Sequence, residues 1–425
     1  MKKHLVSALV GTCFAFPLCA ATLPLGDVNT EALTLDRAIA MTLQKNPDLH
    51  QYAFVREQLL GDRYASARDP AYRLGIEIGN LAISGDDAPF ERLETTVALS
   101  SVIELGGKRA ARMDLSNRTL DLATLHNQIK TLDILGEVSI AYIQALATQA
   151  AIELTQEALT LRQAILTTVR ERAQRGAASD IEVLRADAAR TRSRISLNKL
   201  QHRFAREQIT LARHWGDTQF AYAHLQGDLF DFGPADSFAS LSARAKQSPA
   251  ITALASDARL KDAAIRLAET QNRTDIDWQL GLSRYEDSDD FGLTISLEAP
   301  LGTAQRNRGQ LQAARASRNA LTQQQHANQL ALHAQLFAAY SQRAQAIEAV
   351  EALRTRVIPS MEHALKLTRT AYEQGRLQYQ DWLIAQEELV QVKAQLIDNA
   401  KTALISQTLI EQLTAEPLSL TDQAR

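Results

Sequence analysis

The sequence predicts a mainly α-helical chain with a small β part, in which one unit is used twice: two strands followed by a long helical hairpin. Three observations carry that prediction. Ala, Leu, Gln and Arg dominate the 425 residues and aromatics make up only 5%, a mix suited to long helices rather than to a large aromatic core. Arg172–Ala186 and Ala371–Gln386 superimpose without a gap, Gly176 on Gly375 and Leu184 on Leu383. Each glycine interrupts a continuous helical pattern, as a residue that accepts positive φ without a Cβ clash does at a helix end. Period-two alternation, the mark of strands, occurs in two pairs of segments, each pair just ahead of a long helical run.

Residues 1–21 read as a secretory signal peptide. Lys2 and Lys3 form its basic start, Leu5 to Phe16 its apolar centre, and Cys19-Ala20-Ala21 its small-residue cleavage site. The apolar run is too short for a membrane anchor, and Phe16-Pro17-Leu18 before Cys19 is a poor lipobox. Both cysteines, Cys13 and Cys19, lie in this segment, so the mature chain has no thiol for a disulfide, a nucleophile or a metal. Residues 22–34 read as an extended leader.

The first repeat spans 35–215. Helical pattern begins after Thr34, a suitable N-cap, and Pro47 divides it. Strands follow at 72–83 and 94–104. In the second, Val97, Leu99, Ser101 and Ile103 share one face, and Thr96, Ala98, Ser100 and Val102 the other. Gly106-Gly107 opens a long helix out to Gln174, about 100 Å at 1.5 Å per residue. Val138, Ala145, Ile152, Leu159, Leu166 and Ala173 recur along it at intervals of seven, as coiled-coil packing requires. After the tip at Gly176 the helix returns from Asp180 to Trp215.

A connector at 216–236, with Gly216, Gly227, Gly233 and Pro234, separates the halves. The second repeat spans 237–414. Ser248-Pro249 echoes Asn46-Pro47, strands follow at 276–286 and 291–299, and a helix runs from Gly302 to the tip at Gly375. The chain then returns from Tyr379 to Thr414, and 415–425 is a polar tail.

Each strand is near the ten-residue length that crosses a membrane in a barrel, with one apolar face and one small or polar face. Tyr72, Trp278, Tyr285 and Phe291 sit where an interfacial aromatic girdle would lie. Four strands cannot close a membrane barrel, since known barrels begin at about eight, and an open sheet edge cannot stand in lipid. Either identical subunits share the strands or the sheet is not in a membrane.

A net charge of -3 gives no basic surface for nucleic acid. Lys108 follows two glycines, but Val102 and Arg109 break the P-loop frame. His326 and His333 are seven apart, a spacing that suits surface positions better than a ligand pair. The acidic loops at 85–87 and 286–290 read as solvated hairpin loops, and no nucleophile elbow occurs. No cofactor, resident metal or enzymatic activity is expected.

The chain resembles the TolC family of outer-membrane efflux channels. The resemblance rests on Leu35-x-x-Ala38-Ile39 leading to Asn46-Pro47, on Glu104-Leu105-Gly106-Gly107-Lys108-Arg109, and on Tyr372-x-x-Gly375 running into Asp381-Trp382-Leu383. It covers nearly the whole mature chain. It implies a homotrimer: a twelve-stranded β-barrel in the outer membrane above a long α-helical barrel in the periplasm. It also implies two partners, a periplasmic adaptor (membrane fusion protein) and an inner-membrane RND pump. Within the family, Glu104–Arg109 and the Ala- and Gln-rich helices resemble the heavy-metal cation resistance branch for cobalt, zinc and cadmium. Drug efflux or type I secretion is the alternative within the family, and a periplasmic coiled-coil adaptor or scaffold the alternative outside it.

The resemblance also implies site roles. Asp381 stands where members carry an acid at the periplasmic gate, while Ile384 replaces the second acid that members often have. Asp381 equally suits the start of the returning helix, where a carboxylate favours the helix dipole. Arg175, Gly176, Gly375 and Arg376, at the two tips, stand on the surface that contacts the adaptor, with the arginines either reading acidic partner groups or simply solvated.

Overall fold

The computed structural model describes residues 32–80, 93–234 and 236–416. The signal peptide, most of the leader, the end of the first predicted strand (81–83), the acidic loop at 85–87 and most of the tail lie outside the described residues.

Capping chemistry places the first helices. Thr34 Oγ1 accepts from the Arg37 backbone N–H and opens α1 (Leu35–Lys45). Asn46 Oδ1 accepts from the N–H groups of Asp48 and Leu49 and opens α2 (Pro47–Ser66), with Pro47 at the position where a missing N–H costs nothing. The strands β1 (Arg73–Gly79) and β2 (Glu94–Ile103) lead into α3 (Lys108–Gln174), and α4 (Asp180–Arg213) returns. The second repeat carries α5 (Phe238–Ala245), α6 (Pro249–Thr270), β3 (Ile276–Tyr285) and β4 (Asp290–Glu298), then α7 (Thr303–Arg306), α8 (Arg308–Ala352), α9 (Ile358–Glu373) and α10 (Tyr379–Thr414). Among the described residues no helix is long and apolar enough to cross a membrane.

The expected single helix from Gly302 to Gln374 is interrupted twice. Asn307 breaks it near its start and donates to the Ala268 carbonyl. A π-helical turn at Leu353–Val357 joins α8 to α9. Pro359 explains the second break: it has no N–H for the Thr355 carbonyl, its ring would collide with that carbonyl, and a wider turn relieves both. The first repeat has no proline there, and α3 runs unbroken.

The four strands form one antiparallel sheet in the order β1-β2-β3-β4. The helices beside it follow the same order, because each strand is joined to one of them: α2 packs on α3, α3 on α6, and α6 on α8. Farther from the sheet the neighbours are α4, α3, α10 and then α8 with α9. The end of α4 meets the start of α2, where Asn46 Nδ2 donates to the His214 carbonyl at 2.7 Å. In the second repeat Arg244 of α5 pairs at 3.0 Å with Glu416, just past the end of α10. The chain is thus a wall about four helices wide with the sheet at one end.

The largest core lies at mid-height. Leu33, Leu35 and Ala38 pack there with Val138, Tyr142 and Leu146 of α3, Leu211 of α4, and Leu225 of the connector. Tyr142 shares its hydroxyl proton between the carbonyls of Leu33 (2.8 Å) and Gln226 (2.6 Å). The connector is therefore a packed strap as well as a boundary. The buried members of the α3 heptad series are Val138, Ala145 and Leu166.

Candidate channel surfaces at the sheet and the helical tips

Strand register sorts the sheet residues into two faces. On one face, unbroken apolar rows cross all four strands: Leu74–Leu99–Leu280–Ile295 and Ile76–Val97–Leu282–Leu293. These side chains are exposed, from 38% for Leu99 to 74% for Leu74. A continuous apolar surface of this size open to the outside marks a lipid or protein contact. On the opposite face the matching row is Gly75–Ala98–Gly281–Thr294, and beside it Glu77–Thr96–Ser283–Gly292. That face also carries Glu94, Asp277, Asp290 and Glu298, against Arg73 alone among the paired strand residues described.

Of the four aromatics, Tyr72 and Trp278 meet edge to face at 6.2 Å where the sheet joins the helices. Phe291, paired with Arg284, stands on the same apolar face at the far end of the strands. Tyr285 does not join them. It lies an odd number of residues from Trp278, so its side chain leaves from the polar face, and its ring packs against Gly292.

At the other end of the wall the two tips share one backbone solution. Gly176 has φ 72° and Gly375 φ 75°. In the first tip Ala177 N–H donates to the Arg172 carbonyl (2.8 Å) and Gly176 N–H to that of Ala173 (2.9 Å). In the second, Arg376 N–H donates to Ala371 (2.8 Å) and Gly375 N–H to Tyr372 (2.9 Å). Both are Schellman closures, which require the left-handed residue that glycine supplies. Arg175 and Arg376 are exposed beside them.

Asp381 is exposed at the third position of α10, and its Oδ2 accepts from the Gln378 backbone N–H at 3.0 Å. Its counterpart in the first repeat is Glu182, which accepts from the Tyr372 hydroxyl at 3.0 Å. The tips are bolted together by side chains whose contacts no local pattern announces, although Tyr372 and Trp382 belong to the tip motif. Arg172 donates to the Glu373 carbonyl at 2.9 Å, and its guanidinium lies 4.9 Å over the Tyr372 ring. Tyr372, Tyr379 and Trp382 pack with Leu166, Val169 and Ala186 beneath. Burial and the Glu182 carboxylate push the Tyr372 phenol up to about 12. Around this locked centre Ile181, Leu184, Leu377 and Ile384 remain 41–70% exposed.

The profile of the family described as "Outer membrane efflux protein" matches residues 38–217 and 241–416, one block on each repeat. The chain belongs to the outer membrane efflux protein family. Membership places it in the outer membrane, with the helical wall as its periplasmic extension, and makes it a channel-family protein. Among characterised relatives, the cobalt-zinc-cadmium resistance protein CzcC of Cupriavidus metallidurans is 23% identical over 299 residues, covering 70% of this chain and 72% of that one. The pyoverdine export outer membrane protein OpmQ of Pseudomonas putida is 32% identical over 147 residues, 33% of this chain and 29% of that one. The fold matches a solved structure of CusC, described as a transmembrane channel, with a TM-score of 0.78 at 16% identity, over 90% of this chain and 92% of that one. For an outer membrane efflux protein the two exposed surfaces have distinct settings: an apolar sheet for the membrane and capped helical tips at the far end of the wall.

Proposed function

We propose that the chain is the outer-membrane duct of a tripartite system exporting heavy-metal cations. The observation that carries the substrate is the CzcC match, which extends over more than two thirds of both chains. The charge of the polar sheet face agrees with it. Among the paired strand residues described, Glu77, Glu94, Asp277, Asp290 and Glu298 share that face with Arg73 alone, and a wall of one sign raises the local concentration of the opposite ion.

In this reading three copies pool their sheets into one twelve-stranded barrel, because the free edges of β1 and β4 cannot stand unpaired in lipid. The apolar face meets lipid, with Tyr72 and Trp278 at one interface and Phe291 toward the other. The helices form the periplasmic tube. The duct is passive: an inner-membrane RND pump supplies the energy, and a periplasmic adaptor docks on the tips around Arg175, Gly176, Gly375 and Arg376. Three Asp381 carboxylates near the axis form the periplasmic gate and attract cations.

A second reading, export of an organic solute, is favoured by the higher identity to OpmQ over a shorter stretch. Survival and metal content of cells lacking the gene separate the two across zinc, cobalt, cadmium, copper and a panel of organic toxicants. Raised metal content with unchanged tolerance to organic compounds is the expected result. Unchanged metal content with organic sensitivity would keep the duct and overturn the metal assignment.

A further inference from the structure

The two free edges of the wall have a template inside the chain. One complete seam already joins the halves, with β2 and α3 on one side and β3 and α6 on the other. At its foot the turn after β2 receives the turn before β3. Asp275 accepts from the Leu105 backbone N–H (3.0 Å) and from Lys108 Nζ (2.6 Å). Arg273 lies so close over Gly106 that a Cβ there would come within 2.5 Å of Arg273 Cγ. A bulky side chain from one turn fits because the other turn is glycine.

The duplicated counterparts of these turns stand at the free edges with the sizes exchanged. The turn after β4 is Pro300-Leu301-Gly302, in which Gly302 (φ 74°) repeats the left-handed Gly107 (φ 77°) that opens α3. Leu301 is 86% exposed, more than any other large hydrophobic among the described residues. The turn before β1 runs from Ala67 to Ala71, and it lines a cavity of about 960 Å³ bordered also by Tyr72, Ile103 and Trp278 and by the charged Glu104, Lys108 and Arg109. The ion pair of the inner seam has no equivalent: Pro300 has no N–H to offer, Thr303 follows Gly302 where Lys108 follows Gly107, and Asp69 is held by Arg109 of its own chain at 2.7 and 2.8 Å.

We propose that Leu301 of one copy seats in the Ala67–Tyr72 cavity of the next, so that the seam between copies is an apolar knob in a pocket where the seam within the chain is a salt bridge on a glycine. The inference rests on the reading that copies pool their sheets, and it names the contact that closes the ring at the junction of sheet and helices. The partner is a second copy of this chain.

The test is disulfide trapping in the full chain, whose native cysteines are Cys13 and Cys19 alone. Leu301→Cys is combined with Ala67→Cys or with Ala71→Cys, outer membranes are treated with an added thiol oxidant, and the products are separated without reductant. A covalent ladder ending at three copies is expected from at least one pair, and none from the single variants. A native three-copy mass without any ladder would overturn the inference and leave the duct intact; a monomer in the membrane would overturn both. In a second arm, Leu301→Asp lowers the detergent-stable oligomer at least about tenfold, because a charge replaces a buried leucine. Leu301→Met, similar in volume, stays within about twofold. An oligomer untouched by Leu301→Asp contradicts the proposal.

Discussion

The hydroxyl of Tyr372, near the end of the second repeat's outgoing helix, donates at 3.0 Å to the carboxylate of Glu182, in the first turn of the first repeat's returning helix. This bond ties the two tips of a chain to each other, as the Arg172 bond to the Glu373 carbonyl also does. Tyr372 is 3% exposed and stacks with Trp382 at 5.2 Å, so the donor is held in place by packing. Tyr372→Phe keeps the packing and removes the bond. A hydrogen bond to a charged acceptor contributes about 1.5–3 kcal/mol, less at this partly exposed tip. Amide exchange at residues 172–182 and 371–381 should therefore quicken several-fold, with exchange in the mid-height core unchanged.

Gly375→Ala and Gly176→Ala place a Cβ on backbone at φ 75° and 72°. No atom lies within 4 Å of the added carbon at either site, so the cost is conformational alone. It should be about 1 kcal/mol per site. Thermal unfolding of each single variant and of the double variant should show two nearly equal and additive losses.

Glu411 of α10 sits beside Gln407, whose side-chain amide donates to it at 2.6 Å. Burial pushes its carboxyl up to about 7, above the ordinary 4.5. A carboxyl raised on folding binds a proton in the native state that the unfolded chain has released. Its contribution to stability is therefore full below pH 4.5 and is lost as pH rises toward 7. Glu411→Gln should flatten that part of the stability profile. A wild-type profile already flat from pH 4.5 to 7 would contradict the assignment.

Gln386 is 1% exposed, and neither side-chain amide atom meets a protein partner. Burying an unsatisfied amide costs about 1–3 kcal/mol. Gln386→Leu should raise the unfolding midpoint in denaturant, and Gln386→Ala, which leaves a void, should lower it.

Much of this architecture was legible in the sequence. Thr34 and Asn46-Pro47 announced their helices, Gly176 and Gly375 their tips, and period two the four strands, because each signal is local. The π-helical turn is not announced by the apolar pattern: Leu332, Ala339, Ala346 and Leu353 also recur at intervals of seven in the sequence, right up to its first residue. Pro359 gave the warning. The face of Tyr285 was also legible in the sequence, since seven positions from Trp278 is an odd step in a strand. The bolt of Arg172, Tyr372 and Glu182 was not legible, because it joins positions about 190 apart through packing that no local pattern encodes. Asp381 is the opposite case: its bond to the Gln378 N–H spans three residues, and its fitness for the start of the returning helix was readable locally.

The proposed cation-favouring duct through the outer membrane can be read as a current through purified protein in a planar lipid bilayer under a salt gradient. Discrete channel openings with a reversal potential displaced to the cation side are expected, with a smaller displacement in a variant with Glu77, Asp277 and Glu298 changed to their amides. A membrane-inserted oligomer that never conducts, or one whose reversal potential lies on the anion side, would contradict it.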